Sequence, residues 1–424
     1  FSGGSPGVWI SNSYSNDGVI SDGSNAFGVV AVPTTPDAAT GQYIPTDVLS
    51  ALANESPDGS VNALRPDFEI PTTTKLSLGV AHQIDLGALG EEWLLSADIL
   101  HNTLDNASYW YDQRCEQPVA TAPDGRGVYD CGGAPEALAV GSFDGGKSTL
   151  FALSASKDWT TSVGRFDLFA SYTHADVKDI GYGTSSTATS NYSDFAAYDR
   201  QSPREGTSNF QVEHMFKLRL NWRKELIDGY ETKASLFATR RSGQPYSYTF
   251  SENNNCVLDL NGGRCARESR NDDAGHLLYV PDGINDPLFS AASFGGVVAD
   301  QQAFIDYING SELARYAGGI APRNGDNSSM TTMVDLRIQQ ELPALNPEHS
   351  FKLFFDIENL GNLLNDDWGR IERTRYEYER DVVSAVINNG QYEYLRLNSD
   401  SSIKNFEVLS QSVWQIQIGL KYDF

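Results

Sequence analysis

Apolar and polar side chains alternate residue by residue in many separate segments of this chain, and no other feature constrains its fold as strongly. In a β-strand successive side chains point to opposite faces, so a period of two marks a strand whose faces meet different surroundings. The clearest case is Phe216 to Arg223. Phe216, Leu218, Leu220 and Trp222 share one face, and Lys217, Arg219, Asn221 and Arg223 share the other. Leu76, Leu78, Val80 and Ile84 likewise oppose Lys75, Ser77, Gln83 and Asp85. Trp93, Leu95, Ala97 and Ile99 oppose Ser96, Asp98 and Asn102, with Leu94 and Leu100 breaking the polar face. The pattern recurs at Phe151–Asp158, Arg165–Thr173, Val334–Gln339 and Phe351–Glu358.

The connections between these segments alternate in length. Those about Asp85–Glu91, Thr160–Gly164, Glu225–Gly229 and Pro343–Glu348 are short, whereas Thr103–Lys147, Ala175–Glu213 and Arg241–Ser329 are long. Short turns at one end and long loops at the other describe a transmembrane antiparallel β-barrel of the bacterial outer membrane, with periplasmic turns and extracellular loops. A soluble sandwich has no reason to sort its loops by length. Within Asn359–Gln411, two β-rich pieces, Val382–Ile387 and Gln391–Leu397, flank the hairpin signal Asn388-Asn389-Gly390. They read either as two further spanning strands or as a hairpin within a long loop.

Composition agrees with strands that meet lipid on one face only. Hydrophobic residues make up 40%, too few for a bundle of membrane helices, yet there are 20 Phe, 20 Tyr and 7 Trp. The net charge of -25 argues against nucleic acid as a partner and fits the cation-bridged lipopolysaccharide surface, as it also fits a soluble acidic protein. The four cysteines form two close pairs, Cys115 with Cys131 and Cys256 with Cys265, both within long connections. Their spacing is not that of a zinc site, and two local disulfides in an oxidising compartment are expected. Phe1 to Ser5 lacks the basic start and apolar core of a signal peptide, so the chain is expected to be mature or a fragment.

The last residues carry the most specific signal. Trp414, Ile416, Ile418, Leu420, Tyr422 and Phe424 form an unbroken apolar face ending in a C-terminal Phe. This resembles the signal by which the barrel-assembly machinery recognises its substrates, with the strand edge available for β-augmentation. Four further stretches extend the resemblance: Phe1-Ser2-Gly3-Gly4 with Val8-Trp9-Ile10-Ser11-Asn12, Ser242-Gly243-Gln244-Pro245-Tyr246-Ser247-Tyr248, Leu278-Tyr279-Val280-Pro281, and the run from Ile357-Glu358-Asn359-Leu360-Gly361 through Asn365-Asp366-Asp367-Trp368-Gly369. With these, nearly the whole chain resembles the C-terminal half of a TonB-dependent receptor of the Oar-like type. The resemblance implies an outer-membrane transporter barrel of about 22 strands and an N-terminal plug that contacts the TonB system. Residues 1–424 then read as the C-terminal portion of one barrel domain of roughly nine to eleven strands, with the plug and the N-terminal half of the barrel as partners outside this chain. On that reading Phe1 follows a strand absent from the sequence. The opposing expectation is a closed small barrel, in which Leu76–Asp85 pairs with Val413–Phe424.

No catalytic or metal site is expected. His82, His101, His174, His214, His276 and His349 are scattered, without a P-loop, nucleophile elbow or HExxH pattern. His174, near the outer end of its strand with Asp176 and Asp179 following, is the one position a rim hydrolase reading would use. The polar-face charges Lys217, Arg219, Arg223, Asp335, Arg337, Asp356 and Glu358 are lumen-facing candidates for plug or solute contact, or else a solvated wall whose charges satisfy one another. Trp110, Tyr111, Tyr246 and Tyr248 read as interface anchors or as a grip for a glycan or peptide. Asn271-Asp272-Asp273 and Asp282–Asp286 offer loop carboxylates for calcium but lack the EF-hand spacing. No other cofactor is expected. The alternative function is a surface scaffold or adhesin that binds a partner through its long loops and transports nothing.

Overall fold

The computed structural model describes residues 61–424 apart from 133–136, 182, 252–256, 261–274, 347, 375–377 and 399–404. Its largest feature is an antiparallel meander of nine strands in chain order: β1 (Thr72–Ile84), β2 (Trp93–Asp105), β3 (Lys147–Thr161), β4 (Gly164–Asp179), β5 (His214–Ile227), β6 (Tyr230–Arg241), β7 (Thr331–Pro343), β8 (Ser350–Glu358) and β9 (Gln415–Asp423). A two-residue strand, Gly206–Thr207, pairs with the end of β4. Most of the nine strands run 12 to 16 residues, well beyond the usual five or six or so of soluble sheets. Two of the short turns have only two residues between paired strands, Ser162-Val163 and Asp228-Gly229. The positive φ of Gly229 suits the tight Asp-Gly hairpin.

Register carries the alternation across the sheet, because directly paired residues point the same way. Leu168, Leu220, Leu236, Leu336, Ile357 and Ile416 form one continuous apolar row through β4, β5, β6, β7, β8 and β9. The opposite face carries Arg219, Asp335, Asp356 and Gln417, and Leu94 and Leu100 lie on it as breaks in the polar pattern. The apolar face is not covered by any other layer of the described chain. Leu78 is 72% exposed, Phe216 45% and Ile418 67%. Among the described residues β1 pairs only with β2 and β9 only with β8, so the sheet does not close on itself.

The packed core lies instead in the long connections. The largest fully buried side chains include Arg126, Tyr248, Tyr392, Tyr394, Phe250 and Phe304, all outside the nine strands. Pro245–Phe250, just past β6, pairs in parallel with Glu379–Asn388, which forms a hairpin with Gln391–Leu397. The two β-rich pieces around Asn388-Asn389-Gly390 are therefore a hairpin within the last long connection, not spanning strands. A 12-residue helix, α1 (Val298–Asn309), contributes Phe304, Ile305 and Ile308 to the same core.

Candidate functional site: the polar face and the packed cap

The seven charged residues expected to share one face do so, but they form separate groups. Arg219 lies 3.5 Å from Asp167, which also accepts a 2.6 Å hydrogen bond from Asn221. Arg337 pairs with Asp356 at 3.2 Å. Asp335 turns to the end of its strand and accepts a bond from the Asn359 backbone N–H at 2.8 Å. Lys217, Arg223 and Glu358 have no ion-pair partner among the described residues. Near the short-turn end, a cavity of about 370 Å³ is lined by Asp158, Arg165, Asp167, Arg219, Arg223 and Lys233. Four cations against two carboxylates make this a local positive patch on an acidic chain, suited to an anionic group. Lys233 was not among the residues expected here. Its strand hides the alternation by placing Phe237 among the polar residues and Thr232 among the apolar ones.

Over the other end of the sheet the long connections join into a cap. Cys115 and Cys131 form a disulfide; Cys256 and Cys265 lie outside the described residues, as do Asn271-Asp272-Asp273 and Phe1–Asn12. Arg126, with a fully buried side chain, pairs with Asp124 at 2.7 Å. Its Nη1 also donates to the carbonyls of Leu277 at 2.8 Å and Tyr198 at 3.2 Å. One guanidinium thus ties three connections together. A second cavity, about 190 Å³, opens where those connections meet and is lined by Tyr109, Asp199, Arg204, Glu205 and Arg323 among others. Arg323 is buried and bonded through Nη2 to Asp179 and to the Gly206 carbonyl, while its Nε and Nη1 have no partner among the described residues. Glu205 accepts the Gly146 backbone N–H at 2.7 Å and pairs with Lys147 at 3.3 Å. The Gly146 N–H foremost, reinforced by Lys147, holds its carboxyl below the ordinary glutamate range.

Several loop residues have structural roles that local sequence could not reveal. Tyr246 and Tyr248 are core residues of the cap, with hydroxyls bonded to Asp326, so neither is an interface anchor nor available to grip a ligand. Trp110 packs against the buried Leu138 and Tyr192, and Arg65 lies over the ring of Tyr111. In Asp282–Asp286, the Asp286 carboxylate is filled by the Tyr279 hydroxyl and the backbone N–H groups of Asp282 and Leu288. Beyond His174, Asp176 pairs with Lys178 and Asp179 with Arg323.

The motif stretches make close chain approaches. A side chain at Gly243 would collide with the Ser328 carbonyl, across which Gln244 and Ser328 exchange hydrogen bonds. In the terminal strand, Ile416, Ile418, Leu420 and Tyr422 face the apolar side opposite Ile357, Phe355, Leu353 and Phe351. Trp414 and Phe424 flank them and are exposed. A comparison with protein-family models and with curated protein sequences finds no match to this chain.

Proposed function

We propose that this chain is the C-terminal portion of an outer-membrane β-barrel of the TonB-dependent receptor type, with the cap outside the cell and the short turns in the periplasm. The observation that carries this reading is the uncovered apolar face of a sheet whose opposite face is charged. Contiguous apolar surface of this extent needs lipid or another apolar partner, and a spanning sheet needs one face in lipid and one in a polar lumen. The edges of β1 and β9 that are unpaired among the described residues also demand partners at membrane depth, where each unsatisfied backbone group costs several kcal/mol. Further strands of the barrel supply them on this reading. The cationic cavity around Arg219 and Arg223 then faces the lumen, where it suits carboxylates of a plug or an anionic solute.

The test is exposure of the full chain, expressed in its native cell, to protease added outside intact cells. Cleavage confined to the long connections, with heat-modifiable migration of the membrane fraction, is the expected result. Recovery in the soluble fraction, or cuts at Ser162-Val163 or Asp228-Gly229 in intact cells, would overturn it. A second reading, a non-transporting surface scaffold, is favoured by the cap's largest core cluster, which joins the first, third and last long connections, since a rigid platform suits partner binding. Partner binding that persists without the TonB system, with no uptake linked to it, separates the scaffold from the transporter.

A further inference from the structure

His174 and His214 stand 40 residues apart in sequence, yet register pairs them directly across β4 and β5 at the mouth of the second long connection. Their ring centroids are 5.0 Å apart. Glu213 sits beside them, its carboxylate 3.7 Å from His214 Nε2. One potential ligand atom from each of the three residues lies within 4.8 Å of the others. His174 Nδ1 is enclosed and lacks a hydrogen-bond partner among the described residues. His214 Nδ1 is engaged by the Tyr172 hydroxyl at 2.9 Å, which leaves Nε2, on the Glu213 side, available to a metal. Metal-binding imidazoles are held in this way, one nitrogen fixed by an outer partner and the other coordinating.

We infer that His174, His214 and Glu213 form a binding site for a zinc-class divalent cation. Two imidazoles and a carboxylate match the borderline-soft preference of zinc, and three protein ligands leave a fourth position for water or an external oxygen donor. Ligands of one tetrahedral zinc stand roughly 3.4 Å apart, so small side-chain rotations close the site. The backbone is already positioned. The Glu213 carbonyl accepts the Ala175 N–H at 2.9 Å, and the His214 N–H bonds to Ser242 Oγ at 3.0 Å. A bound ion would pin the return of the second long connection to the strand it left. This inference rests on the local pairing of β4 with β5 and is independent of the membrane reading.

The experiment titrates Zn²⁺ into the chelator-treated, detergent-purified full chain, with Co²⁺ as the spectroscopic probe. One saturating equivalent, with the intense visible absorption of four-coordinate cobalt, is expected. The His174→Gln/His214→Gln double variant should lose both while keeping the parent's thermal midpoint in chelator. Glu213→Gln should weaken binding, and Tyr172→Phe should weaken it by about ten- to a hundredfold while leaving the stoichiometry at one. Absence of a saturable site in the parent overturns the inference. So does equal binding by the double variant, which would assign the metal to other histidines.

Discussion

The side-chain amide of Asn359 donates to the Ser412 carbonyl at 2.9 Å, joining the cap end of β8 to the residues that lead into β9. The same nitrogen donates to the Gly369 carbonyl at 3.0 Å. Asn359 is buried and adopts a left-handed conformation with φ of 53°, which Asn tolerates better than other side chains. Gly369 is glycine for two reasons, its own positive φ and the Asn359 side chain filling the space where a Cβ would stand. Asn359→Ala removes both bonds and adds backbone strain, and should cost about 2–4 kcal/mol. Asn359→Gly, which relieves the strain alone, should cost less. Denaturant unfolding of the two variants checks the order.

The two faces predict opposite tolerance at adjacent positions. Leu218→Arg places a cation on the apolar face and should cost about 2–4 kcal/mol if that face meets the bilayer interior. Arg219→Leu gives up a half-exposed contact with Asp167 and a stack on Phe169, and should fold in nearly parental yield. Folded yield in isolated outer membranes is the measurement. Equal damage from both substitutions contradicts the assignment of the faces.

Arg126 should be among the least replaceable residues of the cap. Removing its side chain leaves the Asp124 carboxylate, 3% exposed, without its ion pair and takes a donor from two carbonyls. Breaking one side of such a buried pair costs roughly 3–5 kcal/mol. Arg126→Ala is therefore expected to loosen the cap, read as new proteolytic cuts in the long connections. Replacing Asp124 and Arg126 together by Leu and Met should be milder than the single change.

The Cys115–Cys131 bond closes a short loop, with a sequence separation of 16. In the chain-entropy view such a bond stabilises by about 3 kcal/mol. Cys115→Ser/Cys131→Ser should lower the unfolding midpoint accordingly. Non-reducing peptide mapping should find this linkage together with Cys256–Cys265.

The cap should weaken in acid through Glu205. Its pKa is depressed below the ordinary value of 4.5, so its contribution is complete above that value and is lost as pH falls through the folded-state pKa. Glu205→Gln should flatten the stability profile in that range while leaving neutral stability slightly lower. An unchanged acid profile in the variant counts against this role.

Much of the sheet was legible because alternation is local. Phe216 to Arg223 states both faces of β5, and the sorting of short and long connections follows from strand boundaries alone. β6 was obscured where Phe237 and Thr232 break the alternation, and only its neighbours' registers assign its faces. The cap was hardly legible. Tyr246 and Tyr248 carry the composition of surface aromatics, and they are core because the hairpin Glu379–Leu397, more than a hundred residues later, packs on their strand. Sequence by itself determined which residues alternate, and therefore which chemistry each face of the meander presents. Tertiary structure alone decided which distant residues meet: Arg126 with the Leu277 carbonyl, Asn359 with Ser412, and His174 with His214. The physical reason is range. A strand's period is set by neighbouring backbone geometry, whereas register and loop packing depend on contacts whose partners no local pattern names.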